Sequence, residues 1–229
     1  VDLSIVDGIV RTAKAYNISD ILITYKPHQT TSNIMFGNIA GNLLSKSKQG
    51  IIISKILQPL NTFERLIVVL TPNAELENGF TRAVTKINCL LKQLGSNSVL
   101  YGLQSTLDSF ANISGDKKKT FYKYIPVSTF ENFDQAIPPK TDDLFILLSA
   151  RKQTLSYNFH VEDLPRKLNR NNEFTSFVMF YPDISKALQD GGHTDLASVS
   201  AEERYQKVKQ FTGKITGIFK KDGDEENAG

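Results

Sequence analysis

Short runs of β-branched and large aliphatic residues recur along this chain, each separated from the next by a segment of helical periodicity. That alternation admits few architectures. Strands apolar on both faces and joined by helices form parallel βαβ units, with the sheet buried between layers. The clearest run is Arg65–Thr71; others lie at 18–24, 50–56, 98–102, 121–127, 143–149 and 176–181. Helices are predicted at 3–16, 34–45, 80–94, 104–113 and 130–137. Over 80–94, Phe80, Val84, Ile87, Leu91 and Leu94 fall on one face, and Gly95 supplies the stop. Asp2 is the expected cap of the first helix and Asn17 its left-handed end. Residues 159–168 read as a loop with a short helix.

Composition narrows the function. Of 229 residues 40% are hydrophobic and 22% charged, enough apolar surface for a core. No apolar run approaches the roughly 20 residues of a membrane span. Cys89 stands alone, which excludes an internal disulfide and a thiolate zinc site; its place in an apolar helix predicts a small core residue. His28, His160 and His193 are far apart and form no local metal motif. A net charge of +3 is too small to argue for nucleic acid. The chain opens at Val1 directly into an amphipathic pattern, and we expect it to be a piece of a longer polypeptide.

The spacing of the runs divides the chain. Residues 62–182 carry five predicted strands, whereas 1–57 carry only two. Strand, loop, helix, strand occurs at 18–56 and again at 143–181. Residues 1–57 therefore read as the C-terminal half of a first repeat and 62–182 as a complete second one. Residues 183–229 form a tail with an expected helix at 201–211 and a disordered end. One and a half repeats of a single α/β unit is the expected organisation.

Phe36–Lys46 followed by Gly50–Ser54 resembles the end of a universal stress protein domain, in which a glycine opens a helix and a short apolar strand closes the sheet. Asp2–Lys55 together with Leu66–Glu75 is similar to the cytoplasmic C-terminal region of bacterial monovalent cation:proton (Na+/H+) antiporters, which carries tandem universal-stress-like domains. Ser149–Thr154 and Phe180–Pro182 fit the same group. The resemblance spans residues 1–182. It implies a flavodoxin-like parallel sheet in order 3-2-1-4-5, with helices on both faces and ATP or AMP bound in some members at the carboxyl ends of the strands. It further implies tandem pairing through the last strands, which places Ile51–Ile56 antiparallel beside Phe177–Tyr181. The strand at 18–24 is then left with an open edge, where we expect a homodimer contact.

Candidate ligand residues follow from that resemblance. Gly37 and Asn38, at a helix start, are the candidates in the first repeat, since a glycine there lets phosphate approach the backbone N–H groups. The preceding loop, 25–30, has no glycine and contains Pro27, and Asn38 stands where the family has a small hydroxyl residue. A structural glycine is the preferred reading. In the second repeat Arg151 and Lys152 are the candidates to neutralise an anion, against the preferred reading of a solvated basic loop. Glu75 and Glu77 read as surface residues. No nucleophile–base pair has a recognisable context. ATP or AMP is expected to bind weakly or not at all, and no metal is implied. Lys117–Lys119 and the basic tail from Lys207 to Lys221 are candidates for contact with anionic lipid. The expected function is a cytosolic regulatory or scaffolding domain of a bacterial Na+(K+)/H+ antiporter. It would have no enzyme activity, its partner would be the transmembrane domain of the same polypeptide, and it would lie on the cytoplasmic side of the inner membrane. The alternative is a nucleotide-binding universal stress protein; a small hydrolase is disfavoured.

Overall fold

The computed structural model describes residues 4–25, 37–171 and 175–184. The expected cap at Asp2, the loop at 26–36 and the tail from 185 lie outside them. Seven strands form one sheet: β1 (Asp20–Thr24), β2 (Gly50–Lys55), β3 (Arg65–Leu70), β4 (Asn97–Gly102), β5 (Lys123–Pro126), β6 (Asp143–Leu148) and β7 (Ser176–Tyr181). Their order is β1-β2-β7-β6-β3-β4-β5. Within β3–β7 every pairing is parallel and the order is 3-2-1-4-5, as the resemblance implies. β1 pairs with β2 in parallel, and β2 meets β7 antiparallel, with Ile51 opposite Tyr181 and Lys55 opposite Phe177. Among the described strands β1 has β2 as its one neighbour. The first pair therefore runs opposite to the other five strands.

Burial on both faces explains the strand sequences. β6 and β7 are buried at every position. The odd-numbered residues of β3 (Ile67 and Val69) face one core with Phe145, Leu147, Phe177 and Met179. The even-numbered residues Leu66, Val68 and Leu70 face a second core with Leu144, Ile146 and Leu148. The first core is covered by α1 (Ile5–Ala15), α2 (Gly37–Lys46), α5 (Phe133–Ala136) and α6 (Phe159–Asn171). The second is covered by α3 (Phe80–Leu94) and α4 (Gln104–Ser114).

Local signals set the helix ends. Ser4 caps α1 by accepting the Asp7 N–H, and Asn17 takes the expected left-handed conformation beyond its end. Gly95 closes α3 at φ 66°. α6 is longer than the sequence suggests, a continuous 13-residue helix with Pro165 inside it. Its buried stripe of Val161, Leu164 and Leu168 and its Asn158 cap outweigh the backbone bond that Pro165 removes. Cys89 corrects the sequence reading. It is exposed, because it sits two residues past Ile87 and so faces away from the buried stripe of α3.

The join between the two segments is tied by polar groups as well as by the β2–β7 ladder. Lys86 on α3 pairs with Asp20 at the start of β1, and Arg82 pairs with Asp183. The Ile184 N–H donates to Lys48 O, and the Leu57 N–H to Ser176 Oγ. Gly79 lets the chain cross here: a Cβ on it would lie 2.4 Å from Asp183 O.

Candidate functional site

In a sheet of this order the topological switch lies between β3 and β6, and a ligand would enter where their carboxyl ends diverge. The two loops that leave those strands are bonded to each other. Thr71 Oγ1, fully buried at the end of β3, donates to Ser156 O at 2.7 Å. Ser156 in turn donates its N–H at 3.0 Å and its hydroxyl at 2.5 Å to Glu77 Oε1. Ser156 itself is buried. The loops at the crevice are thus bridged by side chains, the Glu77 carboxylate among them.

The loop after β6 is closed on itself too. The Thr154 N–H and hydroxyl both donate to Arg151 O, and the Tyr157 N–H donates to Thr154 O. Asn158 Oδ1 accepts the N–H groups of His160 and Val161, so the start of α6 already holds an oxygen. Glu162, in the first turn of α6, accepts the Tyr157 hydroxyl. Burial, then this bond, pushes the Tyr157 phenol up. Ser149 lies against Tyr181, whose phenol burial raises well above its ordinary value.

Arg151 has a different part from either sequence reading of it. Arg151 is 7% exposed, and its guanidinium donates to the carbonyls of Leu44, Ser47 (2.7 Å) and Gln49 (2.6 Å). These carbonyls end α2 and lead into β2, where the helix leaves its acceptors without partners. Burial lowers the Arg151 pKa to about 10. Lys152 next to it is exposed. Gly37 is the first described residue of α2, the expected start at residue 34 lying outside the described residues. Because β1 and β2 run opposite to β3–β7, Gly37 and Asn38 stand at the other end of the sheet from Arg151 and Lys152. The four candidates do not converge on one site.

Sequence reasoning missed Glu77 and Glu75. Neither is a free surface carboxylate: Glu77 holds Ser156, and Glu75 accepts the buried Thr106 hydroxyl at 2.5 Å. It also missed Asp116. This 1%-exposed carboxylate accepts the N–H groups of Thr120, Phe121 and Tyr122 and the Tyr124 hydroxyl. Burial pushes its pKa up, but those bonds prevail and hold it below its ordinary value. It thereby fixes the loop carrying Lys117–Lys119.

No family model matches the sequence, and no curated protein matches it. Solved structures do match. A protein from Pseudomonas aeruginosa described as a universal stress protein superposes with a TM-score of 0.51 at 10% identity, over 80% of this chain and 70% of its own. The fold is that of the universal stress proteins. The cytoplasmic domain of a prokaryotic cation chloride cotransporter superposes equally well, with a TM-score of 0.51 at 14% identity, over 78% of this chain and 71% of that one. No helix among the described residues is long and apolar enough to cross a membrane.

Proposed function

We propose that this chain is a regulatory or scaffolding domain of a bacterial Na+(K+)/H+ antiporter, acting through protein contacts and carrying no enzyme activity. The observation that carries the non-catalytic part is the Thr71–Ser156–Glu77 bridge across the β3–β6 crevice. A nucleotide entering there would have to break three hydrogen bonds and sit against a carboxylate. The transporter part rests on the resemblance of Asp2–Lys55 and Leu66–Glu75 to antiporter C-terminal regions, and it accords with the occurrence of this fold in the cytoplasmic domain of a cation transporter. In this reading the domain lies on the cytoplasmic side of the membrane, beside the transmembrane part of the same polypeptide.

A nucleotide-binding universal stress protein is the second reading. It draws on Gly37 in α2, a glycine of the resemblance's helix-opening pattern, with no acidic residue in the first described turn. Titration calorimetry with ATP and AMP separates the two. The scaffolding reading predicts no saturable heat. A dissociation constant below about 10 μM, roughly −7 kcal/mol, would favour the nucleotide reading and overturn the first.

A further inference from the structure

We propose that the end of the sheet where β3–β7 begin is a docking face for an anionic lipid bilayer. The topology brings the residues together. Helices in βαβ units end where the next strand starts, so the last turns of α3 and α6 and the loop after α4 share this end. The exposed cations there are Lys92, Lys117, Lys118, Lys123, Lys140 and Arg170. None makes an ion pair among the described residues; of the acids near them, Glu64 is exposed and Asp142 half-buried, whereas Asp143 is bound by Arg65, Asp116 by the backbone of its own loop and Asp108 by Lys119. The opposite end of β3–β7 is mixed in sign, with Glu75, Glu77, Glu131 and Glu162 alongside Lys152, Arg151 and Arg82.

Large apolar side chains stand among the cations. Because β2 is antiparallel to β7, its carboxyl end emerges here, and the connector to β3 passes beneath β7 and β6. On it Ile56, Leu57 and Leu60 are 38%, 50% and 45% exposed. Phe121, 66% exposed, projects from the lysine loop at β5. From β2 to β5 is five strand spacings, about 24 Å, so the apolar and basic groups spread over a face rather than a point. The lysine loop is already ordered by the Asp116 carboxylate and by Lys119, which bonds Asp108 and lies 5.6 Å from the Tyr124 ring centroid. Docking would therefore immobilise little that is free. Cations around protruding aliphatic and aromatic side chains match an interface with anionic headgroups outside and acyl chains beneath. They match a nucleic acid less well, since the protruding groups are mostly aliphatic and cannot stack on bases.

The inference goes beyond the proposed function and does not depend on it: vesicle binding is read apart from nucleotide binding or transport. The test is sedimentation of the full 229-residue chain with phosphatidylcholine vesicles, with and without about a quarter phosphatidylglycerol. Binding to the anionic vesicles alone, weakened by salt, is expected. Lys117→Gln/Lys118→Gln/Lys123→Gln should reduce partitioning about fivefold per lysine, so roughly a hundredfold, with an unchanged thermal melt. Lys92→Gln/Lys140→Gln, on other elements, should weaken it about twenty-five-fold, and Phe121→Ala severalfold. Lys214→Gln/Lys220→Gln/Lys221→Gln in the tail should leave most of it. Any of the following would overturn the proposal: equal binding to neutral vesicles, no binding to either, loss with the tail variant in place of the loop variant, or tighter binding to duplex DNA than to anionic vesicles.

Discussion

Replacing Arg151 with methionine should destabilise the domain by about 4 kcal/mol, within a range of roughly 2–6. The guanidinium donates to three carbonyls, those of Leu44, Ser47 and Gln49, which end α2 and lead into β2. Bonds from a charged donor contribute about 1.5–3 kcal/mol each, so losing three costs about 5–9. Part of this is offset, because the folded chain no longer desolvates a cation. Burial lowers the Arg151 pKa to about 10, which corresponds to roughly 3 kcal/mol at about 1.4 kcal/mol per pH unit. Urea unfolding at neutral pH, followed by circular dichroism, gives the difference from the midpoint if the slope is unchanged. Arg151→Lys, whose ammonium cannot span three carbonyls, should fall between the two. Hydrogen exchange should show the loss first in α2, β1 and β2. A methionine variant within about 0.5 kcal/mol of the parent would refute the helix-end role and return Arg151 to the pool of anion ligands.

Asp116→Ala should cost about 2–4 kcal/mol at neutral pH and loosen residues 117–122 in hydrogen exchange. The Asp116 pKa is held below its ordinary value, so its contribution is present above the unfolded carboxylate pKa and lost as pH falls through the folded one; the parent–variant gap in guanidinium melts should shrink there. At alkaline pH the tyrosines dominate. The Tyr124, Tyr157 and Tyr181 phenols are all raised, chiefly by burial, so their contribution is full below pH 10 and lost as pH climbs toward their folded values. Arg151, whose folded pKa is lowered to about 10, opposes this as pH rises above that value, but one group does not offset three. Phenolate absorbance should therefore rise in a step coincident with loss of ellipticity; smooth titration of every tyrosine in the folded protein would contradict this. On β1, whose one neighbour among the described strands is β2, Leu22 is 67% exposed. If a second copy pairs there, Leu22→Lys should shift sedimentation equilibrium toward monomer with stability changed by less than about 0.5 kcal/mol, whereas a parent that is monomeric at high concentration would remove the dimer.

The sheet was legible because its signal is local. Runs such as Leu66–Leu70 are apolar on both faces, rich in β-branched residues and too short for a buried helix, so they read as strands buried on both sides. Counting two strands in one segment against five in the other gave the division of the chain, but the antiparallel β2–β7 junction came only from the resemblance and its tandem pairing through the last strands. α6 was harder, because Pro165 and its many charged residues hide a stripe of three buried apolar side chains. The site was far less legible. Thr71 and Glu77 meet Ser156 across 85 and 79 residues, and Arg151 reaches Leu44 across 107. A basic residue in a loop reads the same whether it faces solvent, a phosphate or the end of a distant helix. Nothing within a few residues of Arg151 distinguishes these. Asp116 lay closer to reach: an Asp directly after a helix-ending glycine sits where an aspartate side chain bonds the backbone of its own turn.

The most direct test of the transporter assignment is an immunoblot of native cells, fractionated into membrane and soluble parts and probed with an antibody against residues 37–184. A single band in the membrane pellet, far larger than the 229-residue chain and released by detergent but not by salt, is the expected result. A soluble band of about the size of this chain, with none in the membrane, would contradict it.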